Sequence, residues 1–429
     1  MRASGFSYLL TVITIACSWA LLVYPPMPTY TLLGDSEQYR SSAETILSGE
    51  LLTPIDLAST PHLATAMRPP LFPFLVALAR VNPLLAYPSS LVALHALIAL
   101  ALMVLAPIQL RRFAPPAAIA LFMGIALNSA KQMLWAETSE WLALSLLITS
   151  TILLMSSMER FTRSSAFATA LTLSLAALTR TALIPFLLAI PIIGATAPRP
   201  QRRRTITALS LGVAPLLLWC AAQYHRVGVF SIGAYEGLNP LATARSLGTL
   251  PEAPADSPGT RGLIAILNER GLTVSDHALS LRATHLWDGE FYGAFHHNFD
   301  LTCAAIKQAE PGKPPSSTAV AIRGFTAHPA RYLRFIGSGI MTLARDYLPV
   351  VLPCLASAAW LRRRDRGARP LATVACILCC LSLLYLCTVF ATMLWLPRYF
   401  LPLQPTIIFL SGVCAWNLVR NFADEIRER

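Results

Sequence analysis

Charge is scarce in this chain of 429 residues: only 13% are Asp, Glu, Lys or Arg, against roughly a quarter in soluble domains. With 55% hydrophobic residues and a mean hydropathy of +0.55, that scarcity argues against a water-soluble protein. Lysine is nearly missing, since 31 of the 34 basic residues are arginine. The net charge of +12 would fit a nucleic-acid binder, but the arginines fall in short loops between apolar runs. That placement is a membrane-topology signal, and no nucleic-acid partner is expected. A disulfide framework is not indicated, because eight of the nine cysteines lie in or beside apolar runs and only Cys303 lies in a long hydrophilic stretch. Cys376, Cys379 and Cys380 have a metal-like spacing, yet no histidine or second CxxC lies near, so no metal site is read there. Internal repeats of the kind transporters show are lacking, as are low-complexity tracts.

What is present is a series of apolar runs, near residues 8–24, 89–110, 117–130, 141–155, 166–178, 182–193, 206–222, 335–360, 371–395 and 400–418. They predict an all-α polytopic membrane protein with about ten transmembrane helices; the runs are too long and too uniformly apolar for barrel strands. The first run lacks a convincing cleavage site and reads as an uncleaved anchor. Arginine clusters follow the second, fourth, sixth, eighth and tenth runs and so share one side, cytoplasmic by the positive-inside rule together with Arg2. Both termini are then cytoplasmic. Residues 1–223 form an N-terminal membrane module with an external loop at 25–73, residues 224–334 a small external domain, and residues 335–429 the C-terminal membrane helices.

The chain is organised around residues 30–73. Asp35 can cap a helix, with Gln38 completing a capping box. Tyr39, Ala43, Ile46 and Leu47 then recur at helical spacing until Gly49. This predicts a short amphipathic helix on the membrane surface, and the proline-punctuated run 71–79 predicts a second. The loop reads G-D-S-E-Q-Y and, after a spacer, R-P-P-L-F-P-F. This order resembles the first external loop of the GT-C superfamily, integral-membrane glycosyltransferases that use polyprenyl-phosphate sugars and include protein O-mannosyltransferases and lipid A aminoarabinose transferases. L-T-R-T-A-L and L-P-R-Y-F-L-P-L-Q-P resemble sequences that precede later spans in the same superfamily. The resemblance covers most of the membrane part and little of 224–334. It implies a helical bundle with two juxtamembrane helices in the first external loop.

A polyprenyl-phosphate donor has a phosphate leaving group, which needs positive charge where negative charge develops, and the acceptor hydroxyl needs one carboxylate as base. Asp35 is the base candidate, with helix capping as its alternative role; Glu37 reads as a solvated neighbour. Glu137 and Glu140, in A-E-T-S-E-W, are the second acidic pair; the resemblance implies that an acid here assists the first, and the alternative is an acidic first turn that favours the helix dipole. Arg68, Lys131, Arg180 and Arg398 sit at external span ends, where cations are normally depleted, and are the candidates for donor-phosphate binding; interfacial snorkelling is their alternative. Trp287 and Tyr292, in W-D-G-E-F-Y-G, are candidates for acceptor binding or for a packed turn. His62 and the six histidines of the 224–334 segment lack metal spacing, so metal ligands are not expected.

The resemblance implies an inverting glycosyltransferase that needs no cofactor beyond its lipid-linked co-substrate. It would move a monosaccharide to a hydroxyl of a protein or glycan acceptor. The overall layout resembles small bacterial arabinosyltransferases that modify pilins, which implies arabinofuranose as the sugar, the bacterial inner membrane as the location, and an active site facing the periplasm. The alternatives from other classes are a transporter or lipid flippase, which would place charges in mid-span, and a non-catalytic partner of a polysaccharide assembly system.

Overall fold

The computed structural model describes residues 2–24, 36–53, 68–228, 230–233, 238–279, 289–308, 317–365, 367–392 and 402–428. Every regular element among them is helical. In chain order they are α1 (Arg2–Val23), α2 (Ser36–Leu47), α3 (Leu71–Arg80), α4 (Ser89–Leu110), α5 (Pro116–Asn128), α6 (Ser139–Arg160), α7 (Arg163–Thr179) and α8 (Ala189–Thr196). Next come α9 (Arg199–Val227), α10 (Leu238–Leu247), α11 (Pro258–Arg270), α12 (Glu290–Gln308), α13 (Ser317–Ala327), α14 (Pro329–Asp346), α15 (Leu348–Arg364), α16 (Arg369–Thr392) and α17 (Gln404–Glu428). Single 3-10 or α turns at Glu50–Leu52 and Lys131–Leu134, and a 3-10 stretch at Thr181–Leu188, complete the set.

Six helices are long and apolar enough to cross a bilayer: α1, α4, α6, α9, α16 and α17. The pair α14–α15 makes a seventh, bent by 62°. A continuous run at 335–360 was expected. The chain breaks at Tyr347 because Pro349, in the first turn of α15, has no N–H to donate to the preceding turn. The apolar runs at 117–130 and 182–193 form shorter helices, the latter divided into a 3-10 stretch holding Pro185 and then α8. The run at 166–178 lies in α7, of 17 residues. Ten long apolar helices are therefore not seen.

The arginine-bearing ends come together. Arg112, just after α4, pairs with Glu159 near the end of α6. Asn417 of α17 donates to the Phe113 carbonyl (2.8 Å), and Asn421 donates to Asp365 after α15 (3.0 Å). Thr196, at the end of α8, touches Met158 of α6 (3.7 Å). Glu137 and Glu140 lie at the start of α6, about 33 Å away along its 22 residues. The bundle thus has an arginine end and a carboxylate end, and its main core runs between them through Trp141, Leu147, Phe186, Tyr385 and Phe409.

A second core gathers α10 to α13 and the start of α14 around Leu241, Ile264, Phe291, Val320 and Phe335. Buried Arg245 ties it together: its guanidinium donates to the carbonyls of Leu267 (2.7 Å) and Gly271 (2.6 Å), at the C-terminal end of α11. Asn298 clips the following strand-like segment by bonding both the N–H (2.8 Å) and the carbonyl (2.8 Å) of Leu272.

Candidate functional site

The site grows from the two short helices of the first loop. Helix α2 starts at Ser36 and ends at Leu47, and Gly49 turns the chain in the left-handed region, at φ 80°. Its Tyr39 and Ala43 are buried against Phe72 and Val76 of α3, with Tyr39 and Phe72 edge-to-face at 4.8 Å. Both short helices expected from the sequence are present, and their apolar faces meet each other and the start of α4.

The polar side of α2 is pinned to the segment before α6. Ser36 Oγ donates to the Glu137 carbonyl (3.1 Å), and Tyr39 Oη bonds Ser139 Oγ (3.0 Å). Arg40 forks onto the Glu137 carboxylate, Nε to Oε2 at 2.9 Å and Nη2 to Oε2 at 2.6 Å, with Nε also 3.1 Å from Oε1. Glu137 is fully buried, and its carboxylate holds the Arg40 guanidinium above its ordinary pKa. Glu140, in the first turn of α6, pairs with Arg180. Arg180 sits in extended backbone between α7 and the 3-10 stretch, so its side chain turns inward. The two acids do not share a helix face: Glu137 precedes the helix, and each takes a different arginine.

Arg68 donates to Gln38 Oε1 (2.7 Å) and lies over the Tyr39 ring at 5.4 Å. Gln38 therefore bridges to the far end of the loop. Lys131, half-buried at the start of its single turn, makes no hydrogen bond or ion pair. Asp35 precedes Ser36 in the chain, but it lies outside the described residues, as do His62, Trp287 and Arg398. Tyr292, on α12, is 39% exposed and packs on His296 at 4.3 Å. It belongs to the second core's surface and no described bond joins it to Glu137 or Glu140. Nearby, Glu290 accepts from Ser275 N–H (2.5 Å) and Oγ (2.7 Å), which holds its carboxyl below the usual range. Among the described residues no group of His, Cys, Asp and Glu could hold a metal ion.

One cation at this end was not singled out from the sequence. Arg226, in the last turn of α9, is 2% exposed. Its Nη1 donates to Gln223 (3.2 Å) and its guanidinium lies over Trp219 at 5.6 Å, while Nε and Nη2 meet no acceptor. No described carboxylate pairs with it. Trp219 and Cys220 pack with Leu178, two residues before Arg180, and with Leu51 and Leu71 of the first loop. Among the described residues Arg226 is thus a buried cation with no carboxylate partner. Its signal was available: like Arg180, it is an arginine at the span end where cations are depleted.

No protein-family model matches the chain, and the search of curated proteins returns no match.

Proposed function

We propose that the protein is an integral-membrane glycosyltransferase of the GT-C type. It moves a monosaccharide, arabinofuranose being the sugar we favour, from a polyprenyl-phosphate donor to an acceptor hydroxyl at the periplasmic face of a bacterial inner membrane. The observation that carries the reading is Arg226. A buried guanidinium with two nitrogens unmet and no carboxylate among the described residues is costly unless an anion joins it. It lies in the last turn of α9, and we assign the donor phosphate to that end of the bundle.

In this reading the acceptor oxygen attacks the anomeric carbon as the bond from that carbon to the phosphate oxygen breaks, so configuration inverts. The hydroxyl proton passes to a carboxylate, and the electron pair leaves with the polyprenyl phosphate. Arg226 stabilises that leaving anion. Arg40 and Arg180 already neutralise Glu137 and Glu140, so those acids act as struts that hold α2 and the 3-10 stretch against α6. The proton then goes to Asp35, the acid that adjoins the anchored Ser36. The charges lie at span ends, which favours a headgroup site over a mid-membrane transport path. The chain would cross the bilayer ten times, with α5, α7 and the 3-10–α8 segment as short crossings shielded by their neighbours.

The test is mass spectrometry of lipid copurifying with the full-length protein and with Arg226→Gln. A polyprenyl phosphate or its sugar ester is expected with the wild type, depleted roughly tenfold or more in the variant. A wild-type protein that retains only bulk phospholipid would end this reading.

A further inference from the structure

At the arginine end, α15 and α16 flank an open cavity of about 620 Å³, lined by Ala359, Arg362, Arg363, Arg369, Thr373 and Cys376, with all three arginines exposed. The acids that might neutralise it are turned elsewhere. Asp365 accepts from Asn421 (3.0 Å) and faces Arg420 (3.3 Å), and Glu425 faces Arg364 (3.5 Å), all toward α17. Trp360 stacks on Phe422 of the same helix at 5.2 Å, which commits the other face of α15 to that contact. Among the described residues Arg362, Arg363 and Arg369 make no hydrogen bond or ion pair. Three guanidinium groups in one cavity without a counter-charge favour an anion rich in oxygen acceptors.

The cavity also has depth. Thr373 and Cys376 are one and two turns inside the apolar span of α16, so the lining descends about 10 Å from Arg369 along the helix. That floor lies within a candidate membrane span, so a phospholipid, which presents a charged headgroup and a chain in the same direction, suits it better than a soluble anion. We propose that this cavity binds the headgroup of an anionic phospholipid, at the membrane face opposite the proposed transfer site. The arginines take the phosphate oxygens, and the first carbons of the lipid run along Thr373 and Cys376.

The full-length protein in nanodiscs of phosphatidylcholine, with or without phosphatidylglycerol, tests this. Phosphatidylglycerol is expected to be retained in native mass spectrometry and to raise the thermal midpoint. In the R362Q/R363Q/R369Q variant retention should fall about tenfold or more. The R199Q/R203Q/R204Q variant removes equal charge at the same end and should retain the lipid. Thr373→Trp fills the cavity while keeping all three charges and should also lose the lipid, which keeps the test open if the triple variant does not fold. Equal loss in both triple variants, retention in Thr373→Trp, or an equal stabilisation by inorganic phosphate in neutral nanodiscs would each overturn the proposal.

Discussion

At the scale of single residues, the carboxylate end separates acids that are occupied from the one proposed to act. Glu137 has both oxygens engaged by Arg40, whose side chain is 33% exposed while that of Glu137 is fully buried. Arg40→Met would strand a buried carboxylate, at a cost of about 3 kcal/mol, the low end for such pairs because Arg40 is partly solvated. Arg40→Met with Glu137→Met should cost less than the sum of the single changes, since neither leaves the other's charge behind. Denaturation midpoints of the four proteins measure this, and additive losses would show that the fork contributes no coupling. Asp35→Asn should keep capping and expression but lower transfer by roughly a hundredfold or more. An active asparagine variant would return Asp35 to a capping role and reopen the choice of base.

At the scale of elements, the most extensive pairing among the described residues is that of α7 with α9, which brings Arg180 and Arg226 to the same end of the bundle. Gly212 makes it possible. A Cβ there would stand 2.7 Å from the Phe167 carbonyl oxygen and 2.8 Å from the Leu171 nitrogen. Both are backbone atoms, which cannot turn aside as a side chain does. Small residues permit such approach where lipid gives helices no hydrophobic incentive to associate. Gly212→Ala should therefore destabilise the protein by about 1–3 kcal/mol. Leu211→Ala, at a lipid-facing position that is 60% exposed, should change little. Equal midpoints for the two variants would refute the close-packing account. The first-loop helices were legible in outline, since Tyr39, Ala43 and Ile46 mark the face that packs, whereas Leu47, read with them, is exposed. Their binding to α6 was not, because Arg40 and Glu137 are 97 residues apart.

At the scale of the whole molecule, the arginine clusters gather at one end of the bundle, as their order along the chain had implied. Reporter fusions after Arg204 and Arg364 should therefore report one compartment, and one after Pro258 the other. A cytoplasmic report at Pro258 would overturn the functional assignment, because every candidate site residue would change side. The apolar runs, their punctuation by arginine and the surface helices near residue 35 were written in the sequence, because hydropathy and periodicity are local properties of the chain. Which runs stay long and unbroken was decided only in three dimensions, where Pro185 falls in a 3-10 stretch and Pro349 in the first turn after the break at Tyr347. The same holds for the charges. A glutamate or arginine reads alike whether paired or bare, and only tertiary contact reveals that Glu137 and Glu140 are taken while Arg226 is buried with no counter-charge among the described residues. Pairing joins residues distant in sequence, so its energy cannot be read from either partner alone.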